Sequence, residues 1–236
     1  MFCANCGAQV EDGTTFCPSC GMKLSKTTDA SKKTPIGASY FDGGLFQLLG
    51  YRILGGLVTI LTLGLCLPWA FTMIYSWEAK HTVINGERLH FDGIAIGLFG
   101  NWIKWLLLTI ITFGIYGFWV EIKLRKWRVE HTHTASGAAV SCFDGGLLQL
   151  IGYRILGVLV TCLTLGICLP WAFTMIYNWE AKHTVIDGYR VSFDGSAVGL
   201  FGNWIKWLLL SIITFGIYSF WVEIKLMKWK VSHMSF

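Results

Sequence analysis

Charge is scarce in this chain. Only 14% of its 236 residues are Asp, Glu, Lys or Arg, against about 25% in an ordinary soluble domain. So few charges could not cover the surface of a soluble protein of this size. Catalytic signatures are also missing. The sequence has no Gly-x-Ser-x-Gly, no phosphate loop and no zincin motif, so an enzyme is the weakest expectation. The first residues are Cys-rich and polar rather than basic and then apolar, so no cleavable signal peptide is expected.

What is abundant is apolar sequence. Hydrophobic residues make up 54% of the chain, with 12 Trp and 16 Phe. They fall in four blocks, 45–77, 98–122, 147–179 and 200–224. A spanning helix needs about 20 mostly apolar residues, and aromatic rings gather at membrane interfaces. These blocks predict an all-α membrane protein with four transmembrane helices, or more elements if some segments are re-entrant.

The N-terminus differs. Cys3 and Cys6 form one Cys-x-x-Cys pair, Cys17 and Cys20 a second, and Gly7 and Gly21 follow them. Four thiolates suit tetrahedral Zn²⁺ and leave no open position, so a structural ion is expected. Glycine suits the tight turn behind each pair. Two disulfides are the alternative for so short a segment; adjacent knuckles and a reducing compartment favour metal. The segment resembles the short zinc ribbons at the N-termini of many bacterial membrane proteins. Cys66, Cys142, Cys162 and Cys168 have no metal spacing and read as small hydrophobes. A Lys/Ser/Thr-rich tether follows the ribbon.

Residues 41–131 reappear at 143–233 with roughly four positions in five identical, a tandem duplication. A weaker repeat lies inside each half: Phe41-Asp42-Gly43 returns as Phe91-Asp92-Gly93, Trp77 as Trp127, and His81-Thr82 as His131-Thr132. The organisation is a ribbon (1–24), a basic linker (25–40), a first membrane repeat (41–134), a linker (135–142) and a second membrane repeat (143–236). Thr62-Leu63-Gly64-Leu65-Cys66-Leu67-Pro68-Trp69, then Trp77-Glu78-Ala79-Lys80-His81-Thr82, resembles the bacterial membrane family of unknown function typified by the inner-membrane protein YjgN. Thr112-Phe113-Gly114-Ile115-Tyr116-Gly117-Phe118-Trp119 and Lys123-Leu124-Arg125-Lys126-Trp127 carry the same resemblance. It implies a bacterial plasma-membrane protein and brings no activity or site residues.

Basic residues are concentrated before the first block and after the second and fourth. That predicts four alternating spans, both termini cytoplasmic, and inverted-topology pairs of the kind transporters use. In the rival reading, Gly64 and Pro68 break the first block, the Trp-rich segment turns back, and all units face one way. Asn85-Gly86 and Asp187-Gly188 sit in alternating sequence and signal β-hairpins outside the apolar blocks.

Arg52, Asn101, Lys104, Glu121 and their repeat mates Arg154, Asn203, Lys206 and Glu223 lie in or beside apolar sequence. Such residues form a pathway or snorkel to headgroups; proximity to the block ends favours snorkelling. Arg52 and Glu121 could pair across helices. His81, His131, His183 and His233 read as caps or interface contacts. The expected function is a membrane scaffold or regulator whose ribbon docks a cytosolic protein. The alternative is a small transporter or channel acting as a homo-oligomer. The lipid bilayer, a protein partner and a second copy are the expected partners; no nucleic acid is expected.

Overall fold

The computed structural model describes residues 37–135, 137 and 139–236. The ribbon and most of the linker lie outside them. The body consists of four units of one design. The first is β1 (Tyr40–Phe41), α1 (Leu45–Leu61), α2 (Leu67–Lys80) and β2 (Thr82–Ile84). The second is β3 (Glu87–Phe91), α3 (Ala95–Ile111), α4 (Gly117–Glu130) and β4 (Thr132–Thr134). The third is β5 (Cys142–Phe143), α5 (Leu147–Leu163), α6 (Leu169–Lys182) and β6 (Thr184–Ile186). The fourth is β7 (Tyr189–Arg190), β8 (Ser192–Phe193), α7 (Ala197–Ile213), α8 (Ser219–Ser232) and β9 (Met234–Ser235). All strand pairings are antiparallel, in the orders β1-β2-β3-β4, β5-β6-β7 and β8-β9. Asn85 and Gly86, both at positive φ, turn β2 into β3.

Each apolar block folds as a helical hairpin. In the first unit, α1 stops where Leu63 takes φ 49° and Gly64 φ 85°. The Gly64 amide donates to the Thr59 carbonyl and the Leu63 amide to that of Ile60, at 2.8 and 3.2 Å. This is a Schellman ending. Thr62 ties the two helices together: its hydroxyl donates to the Val58 carbonyl and accepts from the Cys66 amide. Pro68 then occupies the first turn of α2, where its missing N–H costs nothing. Thr112, Thr164 and Thr214 repeat the arrangement.

These breaks overturn the expectation of an all-α protein with four transmembrane helices, and with it a multi-pass plasma-membrane placement. The longest helices among the described residues have 17 residues, about 25 Å at 1.5 Å per residue, short of a hydrocarbon core of about 30 Å. Among the described residues no helix is long and apolar enough to cross a membrane. The continuous hydropathy of 45–77 concealed a chain reversal, and strands close every unit.

The alternating, inverted arrangement also fails. Glu78, Arg128, Glu180 and Lys230 are each the twelfth residue of their 14-residue helix. Ion pairs link Arg128 to Glu78 at 2.6 Å and Lys230 to Glu180 at 2.6 Å, and Arg125 joins α4 to α6 through Glu180 at 2.7 Å. These contacts gather the C-terminal turns of α2, α4, α6 and α8 beside the strands, as expected of returning helices that run the same way. All four hairpins therefore point one way, away from the strands.

The units close into a ring, and an apolar seam fills each junction. Leu98, Trp102, Trp105 and Val120 pack with Leu67 and Phe71 between units one and two. Ile122, Phe143, Leu150 and Trp179 join two to three. Leu200, Trp207, Val222 and Leu226 pack with Phe173 between three and four. Phe41, Leu48, Trp77, Ile224 and Val231 join four back to one. Ile84, Leu89, Ile186 and Val191, with Ala79 and Ala181, plug the strand end.

Candidate functional site

A cavity of about 260 Å³, lined by residues of all four units, opens at the centre of the ring. Its wall carries Glu78, Arg128, Glu180 and Lys230, one repeat position occupied by alternating charge. Arg125 adds a bridge from Glu180 to Glu121 (2.7 and 3.1 Å). Its counterpart in the second half is Met227, so the two halves differ at their shared centre. Arg128 and Lys230 also lie over the Tyr75 and Tyr177 rings, 4.9 and 4.7 Å from the centroids. Burial pushes the Glu180 carboxyl up, but Lys230, Arg125 and Arg128 outweigh it and bring it down to about 2. Burial raises the Tyr177 hydroxyl. The charges fall into two groups, Glu78 with Arg128, and Glu180 with Lys230 and Arg125.

A second pair of ion pairs crosses the halves. Arg52 on α1 forks onto Glu223 on α8, and Arg154 on α5 forks onto Glu121 on α4, the latter at 2.5 and 2.6 Å. Pairing of an Arg with a Glu is what the sequence suggests, but the partner lies in the other half. Ring closure puts α8 beside α1, and no spacing within one half reveals that. Asn101, Lys104, Asn203 and Lys206 are exposed on the outer side of α3 and α7 and do not join the axial cluster. The sequence reading missed the axial ring; superposing the four units would have found it, because positions 78, 128, 180 and 230 alternate in sign.

Two further clefts, of about 490 and 480 Å³, lie where α3 meets α4 and α7 meets α8. Their cause is one repeat position. Gly55 lets α1 approach α2 so closely that an added Cβ would stand 2.9 Å from the Ala70 Cβ. Trp105 and Trp207 occupy the matching place in the even units and wedge those hairpins apart.

The His residues serve as caps: Nδ1 of His81, His131, His183 and His233 each lies 2.8 Å from the carbonyl four residues back. The halves are fastened at Asp187, which is 2% exposed and accepts from the Thr134 amide (2.6 Å) and faces His133 Nδ1 (2.9 Å). Burial pushes the Asp187 carboxyl up, and these two contacts bring it net down. Cys66, Cys142, Cys162 and Cys168 are free thiols. Among the described residues no His, Cys, Asp or Glu group is placed to hold a metal. Cys3, Cys6, Cys17 and Cys20 lie outside the described residues; their donor set of four thiolates fits a closed tetrahedral zinc site.

Residues 2–24 match the zinc-ribbon domain family. Residues 188–235, within the fourth unit, match the family described as a bacterial protein of unknown function (DUF898). Both agree with a YjgN-like protein carrying a zinc ribbon. No curated protein and no solved structure matches the chain.

Proposed function

We propose that the chain is a non-enzymatic scaffold: a closed four-unit ring that carries a structural zinc ribbon and offers it to a protein partner. The observation that carries this reading is the state of the axis. Its charges are paired with one another, and its strand end is plugged by apolar side chains. A conduction path needs unpaired polar groups along a wet route, so the closed axis weighs against the transporter alternative. Cys3, Cys6, Cys17 and Cys20 hold the ion in this reading, and the ion's contribution is folding of a segment too short to hold a core unaided.

The test is photo-crosslinking from a probe placed in the ribbon of the full chain, with and without zinc. One defined partner, captured only by the zinc-loaded chain and lost in Cys6→Ser/Cys20→Ser, is expected, while the circular dichroism of the helical body stays unchanged. The same crosslinks from zinc-loaded and zinc-free chain would overturn it.

A further inference from the structure

We infer that the hairpin end of the ring is a seat for one leaflet of a lipid bilayer with anionic headgroups, entered without being crossed. This concerns the body rather than the ribbon, and it holds or fails independently of the ribbon's partner.

The observation begins at the hairpin tips. The residue that ends the first helix of each unit in the left-handed region is Leu63, Phe113, Leu165 or Phe215, at φ 49–52°. Glycine is the ordinary occupant of that position, and a large L-residue there is strained. These four side chains gain nothing inside the protein for that strain, because they are 89, 98, 88 and 96% exposed. Four strained, fully presented apolar side chains at the repeat-equivalent tip of every unit mark a surface that something apolar covers.

The surface below the tips has the same chemistry. Residues 53–77, 105–120, 155–179 and 207–222 contain no Asp, Glu, Lys or Arg. Ile53, Leu57, Ile60 and Leu61 stand 55 to 82% exposed along the outside of α1. From Ile53 to Leu61 the helix rises about 12 Å, close to the depth of one leaflet, which is half of a hydrocarbon core about 30 Å thick. The first charges behind the tips, Glu121 and Glu223, are fifth in their helices and are paired with Arg154 and Arg52; exposed positive charge follows where headgroups would begin. The exposed Lys104 and Lys206 lie seven residues before their helix ends, about 10 Å from the tip; the exposed Lys126 and Lys228 lie nine residues into the returning helices, about 14 Å from it. A basic collar at this height complements anionic headgroups.

The shape favours lipid over a second copy of the chain. The four hairpins form a crown, apolar at its tips and on its outward sides. A protein interface is a patch that meets a complementary patch, whereas a fluid leaflet can coat a crown on every side.

The test uses the purified full chain, released from detergent in the presence of vesicles. Phosphatidylcholine vesicles are compared with vesicles that also contain phosphatidylglycerol. Flotation measures binding, quenching of tryptophan by acyl-chain-brominated lipid measures depth, and an impermeant thiol reagent trapped in the lumen measures crossing. Trp69, Trp119, Trp171 and Trp221, third in their helices, place fluorophores near the tips. Binding that favours the anionic vesicles, with quenching and no lumenal labelling of a cysteine placed at position 113, is expected. The Leu63→Gly/Phe113→Gly/Leu165→Gly/Phe215→Gly variant relieves backbone strain, so it keeps its fold by circular dichroism. Its vesicle partitioning falls by about a hundredfold or more. Lys104→Gln/Lys126→Gln/Lys206→Gln/Lys228→Gln loses the anionic preference and keeps binding to neutral vesicles. Zinc chelation leaves all of these results unchanged, which separates this seat from the ribbon's partner. Lumenal labelling would overturn the one-leaflet seat, as would vesicle binding that the four-glycine variant retains. A chain that ignores vesicles, whether monomeric or paired through its tips by light scattering, would equally overturn it.

Discussion

Leu63 shows how a single residue can carry two opposed requirements. Its left-handed backbone costs a non-glycine residue roughly 1–2 kcal/mol, yet its side chain projects away from the protein at 89% exposure. Leu63→Gly alone is therefore expected to stabilise the isolated fold by about 1 kcal/mol, read as a shift in the urea midpoint; destabilisation would mean that the Leu63 side chain has an internal partner. Glu180 poses the opposite case, a charge held by its neighbours. Its folded carboxyl, at about 2, lies below the ordinary 4.5. A depressed acid stabilises the fold above its unfolded value, and that contribution is lost as pH falls from about 4.5 through 2. The difference corresponds to roughly 3 kcal/mol at 1.36 kcal/mol per pH unit. Glu180→Gln should cost about 2 kcal/mol or more at neutral pH, because Lys230 and Arg125 lose their shared partner. It should also flatten the acid limb of stability against pH in urea melts; an acid limb unchanged from the parent would show that other carboxylates govern it. The ring to which Glu180 belongs was present in the sequence as a repeat position of alternating sign, but only superposition of all four units exposes it.

At the scale of the element, the four hairpins were the least legible feature. Residues 45–77 read as a span because hydropathy averages over a reversal of direction. The sequence does hold the signal, in Thr62, Gly64 and Pro68. It was ambiguous because glycine sits one place after the left-handed residue that ends the helix, and leucine takes that position. The strand hairpin was plain by comparison, since Asn85-Gly86 satisfies its turn directly. Spacing between hairpin helices was not legible at all. Gly55 meets Ala70, while Gly56 beside it meets nothing, and no sequence rule tells the two apart. The contrast predicts opposite signs for one substitution. Gly50 is exposed in the interior of α1 with nothing near its added Cβ, so Gly50→Ala should stabilise by about 0.5–1 kcal/mol through helix propensity. Gly55→Ala introduces a Cβ 2.9 Å from that of Ala70 and should destabilise by about 1–3 kcal/mol through overpacking. Thermal melts of the two variants decide it; equal shifts of the same sign would show that α1 and α2 do not pack as closely as Gly55 permits.

At the scale of the whole molecule, the repeat generates a cycle with one missing bond. Units two and three are joined through residues 135–141, and units four and one are not, yet both seams use the same apolar residues and the same Arg–Glu fork. The duplication was readable from the sequence, but closure was not, because Arg52 finds Glu223 only when the last helix returns to the first. The strand ends make the equivalence concrete. Met234–Ser235 of β9 pairs with β8 as Thr132–Thr134 of β4 pairs with β3, and Tyr40 opens β1 as Cys142 opens β5. The end of the chain and residue 40 should therefore lie within reach of a copy of the seven-residue connector. A permuted chain follows from this: residues 1–39 are placed ahead of residue 142, residue 236 is joined to residue 40 through a copy of 135–141, and the chain ends at residue 134. It is expected to fold with the helical content of the parent and to melt within a few degrees of it, because a 1 kcal/mol change shifts a domain of this size by about 2–4 °C. In that chain the seam between units two and three becomes the unlinked one. Hydrogen exchange at β5 and α4 should then quicken and exchange at β1 and α8 should slow, reversing the order in the parent. A permutant that fails to fold, or one whose exchange order matches the parent's, would show that the two seams are not equivalent and that the covalent connector, rather than the repeated packing, holds the ring shut.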